Sequence, residues 1–257
     1  MIRKLTTVAV VALAITGMTL FNMYVHPEKT TAAQEDAAKE AAEKLAEAQE
    51  AKADVEKPEA AEAGEPETAG ASDNADWPEE TPESFRVAFE TSKGTFEVEC
   101  NRAWSPNGAD RFYELIKAGY YDGNRFFRVV TTPRPFVVQF GINGDPAVSK
   151  KWVNKDIKDD PVMQSNTEGY LTFAKSSQPN SRTTQIFVNM TNNSFLDKDG
   201  FAPFAKVVKG MDVVKALNGK YGEAPTKTQG QIHRYGNEFL DQRFPGLDYV
   251  KKARLVK

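Results

Sequence analysis

The sequence FFRVV at residues 126–130, followed by FVVQFG at residues 136–141, forms two apolar, β-branched and aromatic runs. Such runs are typical of β-strands, but the first contains Arg128, whose guanidinium is always charged and costly to bury without partners. One interpretation is a strand residue whose charged end reaches water. In the other, strand alternation lets one face present Phe136, Arg128 and Gln139 together. A charged donor beside an apolar surface suits a substrate that is half hydrophobic and half amide.

Short strands separated by turns dominate the sequence from residue 84 onward. Phe85–Phe89 and Phe96–Cys100 alternate on either side of the turn TSKG at residues 91–94, which predicts a hairpin. The other predicted elements are strands at Tyr170–Ala174, Ile186–Met190 and Ala205–Val208 and helices from Ser105 to Gly119 and from Met211 to Leu217. Many short strands and only two helices favour a mainly β fold, a closed antiparallel barrel.

Residues 1–25 combine a basic start, Arg3 and Lys4, with the apolar run Leu5–Val25. This run of 21 residues is long enough to cross a bilayer as an apolar helix. It also fits a signal peptide, with TAA at residues 31–33 as the cleavage site, so an uncleaved anchor and a secreted protein are both open. Positive charge before the run and acidic sequence after it place the bulk of the chain outside the cytoplasm, in the periplasm or cell envelope.

Residues 26–83 form an acidic tether rich in Ala, Glu and Pro, with 18 acidic residues and 5 lysines over residues 28–83. Glu and Lys four residues apart predict an exposed helix over Gln34–Lys57, and the Pro- and Gly-rich remainder predicts a disordered linker. A spacer and an acidic binding tail are the two open roles. Since the whole chain carries −3, this segment −13 and the two basic residues before it +2, residues 84–257 carry +8. The predicted compartment and the absence of a recognised binding motif argue against nucleic acid as a partner.

The chain has one cysteine, Cys100, and two histidines, His26 and His233. A single cysteine excludes an internal disulfide, and its place in an alternating apolar run predicts a buried thiol. The sequence contains no His/Cys cluster for zinc and no arrangement that favours a Ser-His-Asp triad. We therefore expect no metal and no cofactor.

Several separated motifs, in this order, resemble those of the cyclophilin-type peptidyl-prolyl cis–trans isomerases. They are YDGNRFFRVV at 121–130, FVVQFG at 136–141, GYLTFA at 169–174, QIFVN at 185–189, and FLD at 195–197 leading to FAPFAKV at 201–207. The resemblance covers nearly all of residues 84–257. It implies a closed eight-stranded antiparallel β-barrel capped by two α-helices, which agrees with the predicted elements.

The resemblance also implies roles for ten residues. Arg128 matches the catalytic arginine, and Gln139 matches the side chain that orients this arginine and the substrate. The implied proline-ring pocket comprises Phe136, Val137, Phe187 and Leu196. The other implied substrate-facing positions are the backbone of Ala174 and Lys175, the polar side chain of Gln185, and Phe201.

Proline isomerisation suits such a site because rotation about a peptide bond needs no proton transfer, nucleophile or metal. It needs a donor that stabilises the bond as conjugation is lost, in a dry pocket that holds the ring. One departure bears on this chemistry: residues 131–135 make the connection from Arg128 to Phe136 about three residues longer than is usual, which leaves open whether Phe136 faces the arginine. The leading hypothesis is a monomeric, membrane-tethered or secreted isomerase acting on proline-containing exported polypeptides. The alternatives are a non-catalytic proline-peptide-binding module or chaperone, and a scaffold that works through its acidic tether.

Overall fold

A computed structural model of the chain describes residues 78–256. The predicted signal peptide or anchor at residues 1–25, with its apolar helix, and the tether up to residue 77 lie outside the described residues. The first strand of the described residues is Ser84–Thr91. Within residues 78–256 there is no helix with the length and apolar character needed to cross a membrane.

Eight strands form one antiparallel sheet. In chain order they are β1 (Ser84–Thr91), β2 (Gly94–Asn101), β3 (Arg128–Val129), β4 (Val137–Phe140), β5 (Tyr170–Phe173), β6 (Ile186–Asn189), β7 (Pro203–Lys209) and β8 (Val250–Val256). Their order across the sheet is β3-β4-β6-β5-β7-β2-β1-β8. The mainly β, eight-stranded prediction is thus confirmed, including the β1–β2 hairpin with its turn before Gly94.

The sheet is curled rather than closed by a continuous ladder, because β3 and β8 are its two ends. Within the described residues, these ends are linked by an isolated bridge between Arg125 and Tyr249 and by neighbouring backbone hydrogen bonds such as Phe126 N–H to Asp248 O (2.9 Å). The strand pairing therefore does not support the prediction of a closed barrel. The reason is that β3 is only two residues long and the backbone bonds toward β8 are made by residues 123–126, which precede it.

Four α-helices accompany the sheet in residues 78–256: α1 (Pro106–Lys117), α2 (Pro146–Trp152), α3 (Met211–Lys215) and α4 (Gln229–Arg243). The predicted helices correspond to α1 and α3, so the prediction of two capping helices was wrong in number. A seven-residue helix such as α2 gives little periodic signal. The longer α4 contains Gly230 and is kinked at Gly236, which has φ 61°, and glycine lowers helix propensity.

Aromatic side chains fill the space between the sheet and α1. Phe89 and Phe96 face each other across the hairpin with ring centroids 4.9 Å apart, and Phe89 also meets Phe140 edge-on at 5.7 Å. On α1, Phe112 packs against Phe204 of β7 at 4.9 Å, and all five rings are fully buried. Because strands β4, β6 and β7 are held by this core, the residues on their outer face have fixed positions.

A buried ionic cluster joins α1 to the loops after α2 and β5. Asp160 accepts hydrogen bonds from Ser105 Oγ (2.5 Å) and the Gly108 amide (3.0 Å) at the start of α1. It also pairs with Arg182 Nη2 at 3.0 Å, and the Arg182 side chain is only 1% exposed. Burial would raise the pKa of Asp160, but the hydrogen bonds and the arginine outweigh it and lower that pKa. The cluster therefore holds a charged pair inside the protein.

We expect the fold to lose stability in acid through Asp160 and Asp197. Burial again raises the pKa of Asp197, but hydrogen bonds from Ser165 and Asn166 outweigh it, so both carboxyls have lowered pKa values. A lowered folded-state pKa stabilises the fold above the unfolded value, about 3.9 for Asp, and this stability is lost as pH falls through the folded value. Urea midpoints should therefore fall below about pH 4. Asp197→Asn should make this fall shallower, and an equally steep fall in the variant would contradict the prediction.

Candidate active site

Arg128 and Gln139 are paired across neighbouring strands. They are direct cross-strand partners on β3 and β4, and Gln139 is in turn the partner of Phe187 on β6. Direct partners present their side chains to the same face of a sheet, so three predicted residues lie side by side. Arg128 Nη1 donates a hydrogen bond to Gln139 Oε1 at 2.9 Å. The guanidinium is thus oriented by the glutamine, as the resemblance implied.

Phe136 faces Arg128 despite the longer connection. The Phe136 amide donates to Val130 O (2.9 Å) and the Val130 amide donates to Val137 O (3.0 Å), which closes residues 131–135 into a separate loop. The centre of the Arg128 guanidinium lies 5.4 Å from the centroid of the Phe136 ring, a distance at which a cation interacts favourably with an aromatic face. The extra residues therefore bulge outward without moving Phe136 from the site.

A cavity of about 390 Å³ opens in front of these side chains. Nine of the ten residues predicted for the site line it: Arg128, Phe136, Val137, Gln139, Ala174, Lys175, Phe187, Leu196 and Phe201. Val137 and Phe187 are almost fully buried, and the Phe187 and Phe201 rings meet edge-on with centroids 5.9 Å apart. One side of the cavity is therefore apolar and the other carries the Arg128 guanidinium.

Gln185, the tenth predicted residue, stands behind the cavity. Its Oε1 accepts a hydrogen bond from Gln139 Nε2 at 2.9 Å, and its own Nε2 donates to Gln229 Oε1 at 2.9 Å. Gln185 does not line the cavity; it holds the side chain of Gln139, which does. Its main-chain oxygen accepts a hydrogen bond from the Ala174 amide at 2.9 Å, which ties the Ala174 segment to β6.

Three lining residues were not predicted: Glu223, Thr226 and Gln229. They come from the 3₁₀ helix Ala224–Thr228 and the residues on either side of it. Glu223 accepts hydrogen bonds from Arg128 Nε at 2.9 Å and from Arg128 Nη2 at 2.8 Å. The sequence offers only a turn signal here, Gly222 followed by Pro225, and nothing that relates it to a strand about a hundred residues earlier.

A larger hollow of about 660 Å³ lies along α1 and does not share this chemistry. It is lined by charges of both signs, including Asp110, Arg111 and Glu114. Arg111 is already bound to Glu114 Oε2 at 3.2 Å and to Thr183 O at 3.1 Å. None of the ten residues predicted for the site lines this hollow, so the cavity at Arg128 is the better candidate for an active site.

The described residues also bear on metal and thiol chemistry. Residues 78–256 contain no group of three or more His, Cys, Asp or Glu side chains placed to hold a metal ion. Cys100 is fully buried on β2, as predicted. Burial and, to a smaller extent, the nearby Asp110 raise its pKa well above the ordinary value, so this thiol is not a reactive nucleophile.

Comparison with known proteins decides the family. The profile described as "Cyclophilin type peptidyl-prolyl cis-trans isomerase/CLD" matches residues 86–237, more than half of the chain. The chain belongs to this cyclophilin-type family. Among its relatives, "Peptidyl-prolyl cis-trans isomerase" of Acinetobacter baylyi is 34% identical over 149 residues, which cover 56% of this chain and 75% of that protein. "Peptidyl-prolyl cis-trans isomerase B" of Escherichia coli is 30% identical over 141 residues, which cover 52% and 84%.

A solved cyclophilin-type structure has the same fold. The isomerase of Cryptosporidium parvum superposes with a TM-score of 0.51 at 17% identity, over 68% of this chain and 98% of that one. Cyclophilin-family membership and the curled eight-stranded sheet thus agree, and the family resemblance is confirmed. The roles of individual residues in this cyclophilin-type chain remain predictions, to which its geometry adds the contacts of Glu223.

Proposed function

We propose that this chain catalyses cis–trans isomerisation of X-Pro bonds in polypeptides. The observation that carries the proposal is the position of Arg128, which is fixed by Gln139 at the edge of a cavity whose other side is apolar. A guanidinium has five N–H donors, and the hydrogen bonds to Gln139 and Glu223 use three of them. One N–H on each terminal nitrogen is left to meet a substrate.

The remaining N–H groups supply what the reaction requires. The planar X-Pro bond is held by conjugation between the prolyl nitrogen and the carbonyl, which gives amide rotation a barrier of about 18–20 kcal/mol. As the bond twists, the nitrogen regains its lone pair and becomes a hydrogen-bond acceptor. A charged donor directed at that nitrogen interacts more strongly with the twisted state than with the planar substrate, which is the condition for acceleration. Arg128 is the donor in this proposal.

The apolar side of the cavity holds the proline ring. Phe136, Phe187 and Leu196 form a surface of the right character, and a bound ring displaces water from the neighbourhood of Arg128. Excluding water strengthens the hydrogen bond to the twisting amide. Since the Ala174 amide is already bound to Gln185 O, the peptide backbone is left the Ala174 carbonyl and the backbone of Lys175 as pairing partners. These groups keep the flanking residues still while the X-Pro bond turns.

The direct test is a proline-isomerisation assay on the purified full-length chain, using a short peptide with an Ala-Pro bond. We expect the approach to cis–trans equilibrium to be faster than the uncatalysed step, which takes tens to hundreds of seconds. A rate indistinguishable from the uncatalysed one would reject the proposal and favour a proline-peptide-binding module. The Arg128→Ala variant, treated in the Discussion, assigns any observed activity to this cavity.

We further propose that the isomerase works outside the cytoplasm on exported proteins. Support comes from the apolar run Leu5–Val25 behind a basic start and from the acidic segment that follows. Protease added to spheroplasts of an expressing bacterium should digest the domain. Protection of the domain until the inner membrane is broken would contradict the proposal.

A further inference from the structure

Glu223 binds the guanidinium of Arg128, the hydrogen-bond donor in the proposed reaction. Its two carboxylate oxygens accept from Arg128 Nε at 2.9 Å and Nη2 at 2.8 Å, a two-pronged ion pair. Such bidentate pairs fix the orientation of the guanidinium plane as well as its position. The Arg128 side chain is 24% exposed and that of Glu223 is 49% exposed, so the pair lies at the rim of the cavity. Water screens a rim pair of this exposure, and the two-pronged geometry fixes the direction in which the guanidinium points.

The backbone around Glu223 is itself held next to β3. Gly222 forms an isolated antiparallel bridge with Val129, the residue after Arg128. The carbonyl of Glu223 accepts hydrogen bonds from the Thr226 amide (3.2 Å) and from Thr226 Oγ1 (2.6 Å). Pro225, in the same turn, is buried. The carboxylate thus projects from a fixed support and not from a free surface loop.

A chain of side-chain hydrogen bonds returns to the same segment. It runs from Glu223 to Arg128, from Arg128 to Gln139, from Gln139 to Gln185 and from Gln185 to Gln229, with each link between 2.8 and 2.9 Å. Both ends belong to the seven-residue stretch at residues 223–229, which closes one side of the cavity. Arg128 is therefore held from two directions, by a carboxylate on one side and by a line of three amides on the other.

We propose that Glu223 is a positioning residue that directs the two unused N–H groups of Arg128 toward the substrate; this rests on the proposed isomerase function. An arginine side chain has many rotamers, and restricting them costs conformational entropy. The ion pair with Glu223 restricts the Arg128 rotamers already in the folded protein, so substrate binding need not do so. Because it takes Nε–H and only one Nη2–H, it leaves one N–H on each terminal nitrogen. The donor is then prepared in advance, which lowers the barrier of the chemical step without adding a substrate contact.

The test compares Glu223→Ala and Glu223→Gln with the wild type in the full-length chain. We expect Glu223→Ala to lower kcat/KM by about 10-fold, since small misplacements of a catalytic group are costly. Glu223→Gln keeps one acceptor and should lose less. The dissociation constant for the Ala-Pro peptide, measured by NMR titration, should change less than two-fold. A residue that merely supported the fold would lower the thermal midpoint, which we expect to stay the same.

Glu168→Gln is the matched control. Glu168 pairs with Lys215 Nζ at 2.6 Å, and its side chain is 49% exposed, the same fraction as Glu223. It does not line the cavity at Arg128. Its substitution removes one carboxylate from a surface ion pair, so kcat/KM should equal that of the wild type. A similar loss in both variants would mean that any removed surface charge lowers the rate, and the proposal would be overturned.

Three further results would also overturn the proposal. If Glu223→Ala leaves kcat/KM unchanged, the ion pair has no role; if it raises kcat/KM, Glu223 restrains Arg128. The third result comes from measuring the effect of Glu223→Ala on peptides that have Glu, Ala or Lys before proline. An equal loss across the three supports positioning, whereas a loss that depends on peptide charge means that Glu223 contacts the substrate. An inactive wild type would instead reject the isomerase function itself, so the two failures are distinct.

Discussion

Replacing Arg128 by alanine should lower kcat/KM for proline isomerisation by about 10²- to 10³-fold, the loss typical when a donor aimed at developing charge is removed. The reason is that the apolar side of the cavity can still hold the ring, but the guanidinium that we propose as the donor to the prolyl nitrogen is gone. The other cation that lines the cavity, Lys175, lies 3.8 Å from Asp159 and over the Phe201 ring. Gln139 also lines the cavity, but it is uncharged and one of its two amide N–H groups is bound to Gln185 Oε1. Binding of the Ala-Pro peptide should change much less than the rate, and both are measurable on the same sample.

Two other substitutions sharpen the interpretation of this loss. Arg102→Ala removes an arginine that forms a comparable pair with Asp110, with bonds of 2.7 and 3.0 Å, at the far end of β2; its rate should match that of the wild type. Arg128→Lys keeps the charge but lacks the planar fork, so it should recover only part of the activity. An Arg128→Ala variant with wild-type activity would assign catalysis elsewhere and leave the cavity as a binding site.

Replacing Asp160 by alanine should lower the free energy of unfolding by about 3–5 kcal/mol, the usual result of removing one partner of a buried ion pair. The loss would leave Arg182 charged and almost fully buried with weaker compensation from Asp159 at 3.5 Å. It would also free Ser105 Oγ and the Gly108 amide at the start of α1, and unpaired buried groups are costly. Urea unfolding followed by circular dichroism measures the change.

The control for this substitution is Asp110→Ala, which breaks the pair with Arg102 in an exposed setting. The two side chains are 36% and 43% exposed, so the loss should stay below about 1 kcal/mol. Equal losses of unfolding free energy in the two variants would contradict the prediction, because burial of the Asp160–Arg182 pair would then add nothing to stability. The paired measurement thus separates the effect of burial from the effect of losing an ion pair.

The sequence was informative where structure depends on neighbours in the chain. Strand alternation placed Arg128 and Gln139 on one face, and the structure pairs them directly across β3 and β4. The turn at Gly94 and the apolar face of α1 were likewise local signals. The ordered motifs then added residues such as Phe187 and Leu196, which lie 59 and 68 residues after Arg128 in the sequence, and nine of the ten predicted residues line one cavity.

Contacts between distant segments without a local signal could not be predicted. Glu223 meets Arg128 across 95 residues of sequence, and the backbone bridge between Gly222 and Val129 places the two side by side. The kink of α4 has a similar origin: a Cβ at Gly236 would lie 2.0 Å from Gly144 O. In both cases the deciding interaction is a close approach of two backbones, which neither composition nor periodicity records.

The two ends of the sheet also matter for how this protein can behave among unfolded chains. An exposed strand edge invites other chains to add strands to it, which is a common route to aggregation. At one end, β3 has two residues and already meets Gly222. At the other, β8 displays the exposed lysines Lys251 and Lys252, and charged side chains discourage strand addition. Both edges of the sheet are therefore poor templates for strand addition by unfolded chains.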